Sequence, residues 1–479
     1  MTVEAGTARA GRLTGLLLAA LAVAVQSVVL AFVFPAAYLD ADLLSYLAYW
    51  RDLRAGTPVA FGYTVPKLLP MLLFGPLASP RLALVVSIAI ASAGGALLYG
   101  IARRSFGTTV AVLAVLLYVF DPMRGVLTLR SSVDLAVGVA VLGAVAALQR
   151  RAALTASLMI LLAALGKPPA LACIAVLPFV PCTTRLRRAL ACALPLLALP
   201  SAMALDALLE ARPLWSLLAM PSLPDQHQLF VRVAEAKVLG FGDTLALLVR
   251  EWFGGTLFAH TWPLVVLGMA LYVLRPPAGA SDALRPVLVV PLLLACAYLA
   301  LAMVQPMIVF TRFFWPLALV LSVFAASATV WLASRLPVGP PLRAAFAAAL
   351  VAALLGDRMA DQRWRERIML RPFEDHAQLA DDAVEAIAHD AACDGAAVVP
   401  LAYLPLAAWR APDKLKRREL CAMEDWAEGR GCAAARCMLV IPDAPTTARA
   451  RQAMADFVAD GFVVEVGNET GALVRSRNG

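Results

Sequence analysis

Two carboxylates, Asp40 and Asp42, stand one residue apart just past the first long apolar run. Side chains at that spacing can hold a divalent metal together. Alternatively, one serves as a general base while the other tunes it. The run before them, 13–34, is long enough to cross a bilayer, because about 20 apolar residues suffice. Charged groups are costly to keep at a membrane and are often functional there. A solvated loop after a membrane span is the plainer reading of the same pattern, and the spacing alone leaves both open.

The elements that must position these acids are membrane helices. The chain has 479 residues, of which 61% are hydrophobic and 15% charged; soluble domains carry roughly 25% charged residues. The apolar excess falls in blocks between about 13 and 356. Blocks at 13–35, 81–102, 108–121, 131–148, 152–166, 169–182, 189–205, 257–274, 287–304, 313–333 and 343–356 predict about 11 spans. Proline and glycine interrupt many of them, which membrane helices tolerate when neighbours satisfy the backbone. The formal charge is +8. No basic run interleaves with aromatic residues, so nucleic-acid binding is excluded as a reading. Arg9 and Arg12 precede the first span without a clear small-residue cleavage site after it, which predicts an uncleaved span.

Arginine clusters set the expected orientation. Arg9/Arg12, Arg103/Arg104, Arg150/Arg151, Arg185/Arg187/Arg188, Arg275/Arg285 and Arg335/Arg343 fall in alternating gaps. Placing those gaps in the cytoplasm satisfies the positive-inside rule. The N-terminus is then cytoplasmic. Segments 36–80, 122–130, 206–256 and 305–312, the turn at Lys167 and everything after 356 then lie outside. Arg51, Lys67, Arg124, Arg130, Lys167 and Arg312 gather on that outer face and point to a site there. Residues 42–55 mix leucines with Tyr46, Tyr49, Trp50 and arginines, the pattern of a helix lying in the interface. Residues 65–77 are too short and too proline-rich to span. Arg124, Arg130 and Asp134 read as a structural ion pair. His227 and His260 are lone histidines that read as surface or packing residues.

The remainder, 357–479, reads as a small extracytoplasmic α/β domain. Helices are expected at 375–392 and 446–460, and strands at 396–400 and 437–441. A closing hairpin joins 462–466 to 472–475. No glycine-rich nucleotide loop opens these helices, which leaves a structural or substrate-gating role. Cys393, Cys421, Cys432 and Cys437 form an even set, which suggests disulfides in an exported domain; the Cys432/Cys437 spacing also suits zinc, though no histidine lies near that pair, and free thiols are the remaining alternative.

The order of motifs resembles the superfamily C glycosyltransferases, specifically the protein mannosyltransferase and aminoarabinose transferase-like branch. The resemblance rests on Asp40-Ala-Asp42, Tyr46, Leu53-Arg-Ala-Gly56 and Val65-Pro66-Lys67-Leu68. It continues in Ala164-Leu-Gly-Lys167-Pro168 and Thr311-Arg312-Phe313-Phe314-Trp315-Pro316. The match spans roughly 13–333. Leu43 stands where the usual second acid would follow Asp42, and Pro66-Lys67 replaces a proline pair.

The resemblance implies an integral membrane enzyme that transfers a sugar from a polyprenyl phosphate to an acceptor on the outer face. The setting is the bacterial inner membrane, and the acceptor is a glycan, lipid or protein. In that reading Asp42 is the base and Asp40 its partner, with a divalent metal shared by Asp40 and Asp42 possible but not required. The charge growing on the leaving phosphate needs cations, and Lys67, Lys167 and Arg312 are the candidates. The alternative is a transporter or flippase of a lipid-linked or small substrate. Transporters tend to show internal repeats and midplane charges; this chain shows no repeat and places its charges at one face.

Overall fold

A computed structural model describes residues 2–35, 37–38, 41–55, 67–208, 238–239, 241–253, 261–274, 281–304, 307–308, 311–337 and 339–369, and four strands beyond them. The described chain is predominantly helical. In order the helices are α1 (Thr2–Val33), α2 (Ala41–Ala55), α3 (Leu68–Phe74), α4 (Pro80–Phe106) and α5 (Thr108–Val119). Next come α6 (Pro122–Leu129), α7 (Val133–Gln149), α8 (Ala153–Gly166), α9 (Arg185–Ala193) and α10 (Ala198–Leu208). Then follow α11 (Phe241–Phe253), α12 (Trp262–Leu274), α13 (Ser281–Val304), α14 (Trp315–Arg335) and α15 (Pro340–Met369).

Among the described residues, five segments are long and apolar enough to cross a membrane: Gly11–Val33, Pro80–Phe106, Arg185–Leu205, Ala283–Leu301 and Arg312–Arg335. A sixth arises if α5 and α6 are one span bent by 56°. Val133–Gln149, Ala153–Gly166, Pro168–Phe179 and Trp262–Leu274 are apolar but shorter. Exposed leucine, valine and phenylalanine side chains line α1, as in Leu17, Leu21 and Phe32. A lipid-facing helix requires such a surface, since aqueous proteins seldom expose large apolar patches.

Two compact units emerge from the chain's contacts. The first comprises Met1–Val33, Leu84–Ala202 and Leu239–Glu366; the second comprises Phe34–Ala83, Met203–Val238 and Arg367–Gly479. In the first unit, small residues let helices approach closely, as expected where lipid supplies no hydrophobic drive between them. A Cβ on Gly268 of α12 would collide with the backbone carbonyl of Phe324 in α14, and one on Gly138 of α7 with the indole of Trp315.

The expected outer loop at 122–130 is instead the helix α6, every residue of which is buried. Local chemistry explains the difference. Pro122 at the first helical position lacks the N–H that would be unsatisfied there, and it pushes Asp121 to an extended backbone. The Asp121 carboxylate then accepts from the Arg124 N–H at 2.9 Å and caps the new helix. Arg124, fully buried, donates to the carbonyls of Tyr118 (3.1 Å) and Val119 (2.9 Å), to Ser27 Oγ (2.8 Å) and to Gln26 Oε1. The carbonyls freed by the break thus find a guanidinium, and α1 is tied to the bend.

The boundary expected at 356/357 falls inside α15, which continues to Met369. Its sequence turns polar there but meets no helix breaker before Pro372. Arg358 of this helix is buried and lies 3.6 Å from Asp121. It also donates to the Leu117 carbonyl (2.9 Å) and Thr261 Oγ1 (3.3 Å).

In the second unit, Tyr46 and Tyr49 of α2 pack with Met71 of α3 and Leu205 of α10. Residues 42–55 therefore form the expected helix, but its tyrosines are core residues rather than interfacial anchors. A Cβ at Gly75 would meet the side chain of Trp50. Beyond 369, strands β1 (Ala397–Val399), β2 (Cys437–Val440), β3 (Phe462–Asn468) and β4 (Gly471–Ser476) form one sheet in the order β1-β2-β4-β3. The first pair is parallel and the others antiparallel, with Val398 opposite Leu439 and Leu439 opposite Leu473. The hairpin closes with Asn468 opposite Gly471, where the sequence places it. The helices expected at 375–392 and 446–460 lie outside the described residues.

Candidate functional site

Lys167 and Arg312, two of the expected cations, converge on one carboxylate, that of Asp134. Lys167 Nζ lies 2.9 Å from Asp134 Oδ1, and Arg312 Nε lies 3.3 Å from Oδ2. The side chains of Lys167 and Asp134 are 8% and 2% exposed, whereas Arg312 keeps 23%. The pair is thus buried and the arginine stands at its open side.

Each member is placed by a local backbone rule. Asp134 sits in the first turn of α7, whose cap Ser132 accepts from the Asp134 N–H at 3.2 Å. The Ser132 hydroxyl also donates to Asp134 Oδ2 at 3.4 Å. A carboxylate in a first helical turn is favoured by the unpaired N–H groups and the helix dipole. Lys167 ends α8. Pro168 forces the residue before it out of the helical region, and Lys167 is extended at φ −144° and ψ 104°. Pro168–Phe179 continues as a 3₁₀ helix. Arg312 lies in the single 3₁₀ turn Thr311–Phe314, which Trp315-Pro316 converts into the start of α14.

Aromatic rings complete the site. The Lys167 ammonium lies 3.2 Å from the centre of the Phe313 ring, a cation–π contact. Tyr298 of α13 stacks on Phe313 at 6.0 Å and meets Phe314 edge-on at 5.4 Å. A small, mostly apolar cavity of about 10 Å³, room for about one water, lies beside Lys167, between Tyr298, Phe313, Phe314, Leu294 and Leu317. The arrangement offers two cations, held by one anion, at the edge of an apolar pocket. Such a group can bind an oxyanion, with arginine gripping two oxygens and lysine acting as a point charge.

The other expected site residues belong to the second unit. Asp42 lies in the first turn of α2 and is half-buried. Lys67 immediately precedes α3 with an extended backbone, and its carbonyl accepts from the Met71 N–H at 3.3 Å. Asp40 lies outside the described residues. Among the described residues no group of three histidine, cysteine or acidic side chains is placed to hold a metal. Among them also, Cys173, Cys182, Cys192 and Cys296 are free thiols and no disulfide occurs. Cys437 lies in β2, and Cys393, Cys421 and Cys432 lie outside the described residues.

Asp134 is the site residue that the sequence reading assigned elsewhere. The sequence pattern reads it with Arg124 and Arg130 as a structural ion pair; the structure brings Lys167 and Arg312 to its carboxylate, and Arg124 donates to α1 and to the α5 carbonyls. The available signal was Ser-Ser-Val-Asp at a helix start, which puts an acid at the mouth of a buried helix.

No family model matches the chain, and no curated protein matches it by sequence. Solved structures do. ArnT from Cupriavidus metallidurans, bound to undecaprenyl phosphate, is similar with a TM-score of 0.50 at 14% identity, over 94% of this chain and 97% of that one. The archaeal oligosaccharyltransferase AglB from Archaeoglobus fulgidus, in complex with an inhibitory peptide and a dolichol-phosphate, is similar with a TM-score of 0.52 at 12% identity. That match covers 97% of this chain and 74% of AglB. The fold is therefore that of ArnT and AglB.

Proposed function

We propose that this chain is an integral membrane glycosyltransferase that takes its sugar from a polyprenyl phosphate and passes it to an acceptor on the outer face. The observation that carries the reading is the Lys167–Asp134–Arg312 cluster, two cations beside an apolar pocket in a chain with the fold of ArnT and AglB. A polyprenyl-phosphate sugar is an apolar chain with an anionic leaving group. As the glycosidic C–O bond breaks, its electron pair passes to the phosphate oxygen, and Lys167 and Arg312 stabilise the added charge. Lys67 is the third cation of the proposed phosphate site. The acceptor oxygen forms the new bond to the sugar carbon and gives its proton to Asp42. Asp40 assists Asp42, and a divalent ion held by both acids is a variant of the same role. The spans number about eleven. The N-terminus is cytoplasmic, and 357–479 forms an outer α/β domain whose cysteines oxidise in pairs.

The test is transfer from a panel of polyprenyl-phosphate sugars by the purified full-length protein. Consumption of one donor with release of polyprenyl phosphate is expected. Asp42→Asn should lower turnover by about 10²–10⁴-fold, the usual contribution of base catalysis, while donor binding survives. Asp40→Asn should cost less, unless a shared metal is required, in which case a chelator reproduces the loss. Parent-rate transfer by both variants would sink the assignment of the acids, and no consumption of any donor would sink the enzyme.

A further inference from the structure

Gln149, the last residue of α7, is buried and joins three helix ends. Its side-chain amide donates to Ser105 Oγ of α4 and to the Ala283 carbonyl of α13, both at 2.9 Å. Each of the joined residues has an exposed arginine close beside it. Arg104 precedes Ser105, Arg150 follows Gln149, and Arg285 stands two residues past Ala283. We propose that this junction is a binding site for an anionic phospholipid, whose phosphate the three arginines hold. It lies at the start of α8, the opposite end from Lys167, and is independent of what Lys167 and Arg312 bind.

Backbone spacing brings the three charges within reach of one headgroup. Successive Cα atoms are about 3.8 Å apart, so each arginine starts one or two such steps from a residue that Gln149 ties in. Among the described residues, the side chains of Arg104, Arg150 and Arg285 form no ion pair or hydrogen bond. Arg103, one step before Arg104, adds a guanidinium whose Nη1 is buried without a hydrogen-bond partner. Like charges gathered this closely repel one another, and a phosphodiester supplies the opposite charge in the geometry that an arginine fork grips. The rule that basic residues prefer one membrane face accounts for the side on which arginines lie. It does not require them to gather around a buried amide. Arg285 also identifies the ligand as a lipid. Val289 and Leu292 follow it by four and seven residues on the same face of α13, and all three are exposed. On α8, Leu154 and Leu158 are likewise exposed beyond Arg150. A cation at the foot of a bare apolar stripe matches a phosphate head whose alkyl chain runs along the helix.

The test is native mass spectrometry of the purified full-length protein in detergent, titrated with dioleoyl phosphatidylglycerol or dioleoyl phosphatidylcholine. Saturable binding of phosphatidylglycerol is expected, with phosphatidylcholine about tenfold weaker because it carries no net charge. The triple variant Arg104→Gln/Arg150→Gln/Arg285→Gln should weaken phosphatidylglycerol binding about tenfold or more, since one basic residue at an anionic lipid surface is worth about fivefold. Arg185→Gln/Arg187→Gln/Arg188→Gln removes the same charge from α9, whose arginines adjoin none of the three joined residues. It should stay within about twofold of the parent, because distant exposed charges are screened by salt. Equal losses from the two triple variants would mean a diffuse basic face and overturn the site. So would the absence of saturable phosphatidylglycerol binding, or equal binding of phosphatidylcholine. Displacement of the lipid by inorganic phosphate at equal concentration would overturn the lipid as occupant. If the junction triple variant fails to fold, the single variants decide. Each should bind about three- to fivefold more weakly, and parent affinity in all three overturns the proposal.

Discussion

Replacing Asp134 by asparagine should cost more stability than replacing Lys167 by methionine, although the two residues form one ion pair. The reason is that, in the ion pairs described above, Asp134 serves two cations and Lys167 one anion. Breaking a buried pair by removing one partner typically costs 3–5 kcal/mol, because the other charge stays buried without compensation. Asp134→Asn takes this carboxylate from Lys167, which is 8% exposed, and from Arg312, so its cost should lie in that range of about 3–5 kcal/mol. Lys167→Met leaves Asp134 with Arg312 at 3.3 Å and with the Ser132 hydroxyl, so about 1–3 kcal/mol is expected. The double variant keeps Arg312, whose 23% exposure lets water solvate it. It should therefore be more stable than Asp134→Asn alone, with a coupling of about 1–3 kcal/mol, as for residues sharing one network. The assay is thermal unfolding of the three variants in one detergent at one scan rate. For a chain of this length each kcal/mol should move the midpoint by roughly 1–2 °C. Equal losses from the two single variants, or a double variant with the summed loss, would refute the reasoning.

Other outcomes follow from the same geometry. Gly268→Ala should lower stability by about 1–3 kcal/mol, because its methyl would collide with the Phe324 carbonyl and force α12 off α14; an unchanged midpoint would contradict the close approach. Arg358→Leu should destabilise by about 3–5 kcal/mol by leaving Asp121 buried, and Asp121→Asn combined with it should recover part of that loss. Reporter fusions at Arg103, Arg187 and Gly479 should report inside, inside and outside, and a cytoplasmic signal at Gly479 would sink the expected orientation. Unreduced mass spectrometry should find Cys432 linked to Cys437 and Cys393 to Cys421, and four alkylatable thiols after purification without reductant would exclude these bonds.

Long periodic apolar segments were legible because length and composition decide them. Five expected spans coincide with structural helices to within a few residues, as 81–102 does with Pro80–Phe106. The tail strands were legible for a related reason: short β-branched runs such as Phe462-Val-Val carry their own signal. The segment 122–130 was misread because two arginines in nine residues look solvated in sequence. Burial of Arg124 depends on carbonyls and on Ser27, which is 97 residues distant. The site was half legible. Lys167 and Arg312 stood out as charges beside prolines and aromatics, and the backbone rules at Pro168 and Pro316 explain their placement. That both meet Asp134 depends on the packing of α7, α8 and the turn before α14, which no local pattern encodes.

The bent α5–α6 span also has a consequence for synthesis. Arg124 finds Ser27 and Gln26 in α1, which the ribosome has already made when α6 emerges. Asp121, which caps the same helix, gains Arg358 only much later. Arg358 stands 241 residues beyond Leu117, the residue whose carbonyl it also binds. At typical rates of about 5–20 residues per second, that interval is roughly 10–50 s. Charged groups are expensive inside a bilayer until they are paired. The first part of the bundle therefore assembles around an incomplete bend, which only α15 completes. A nascent chain stopped before residue 358 would leave Asp121 exposed to whatever lipid, chaperone or quality-control protease reaches it. Arrival of α15 is thus the chemical signal that the bend is complete.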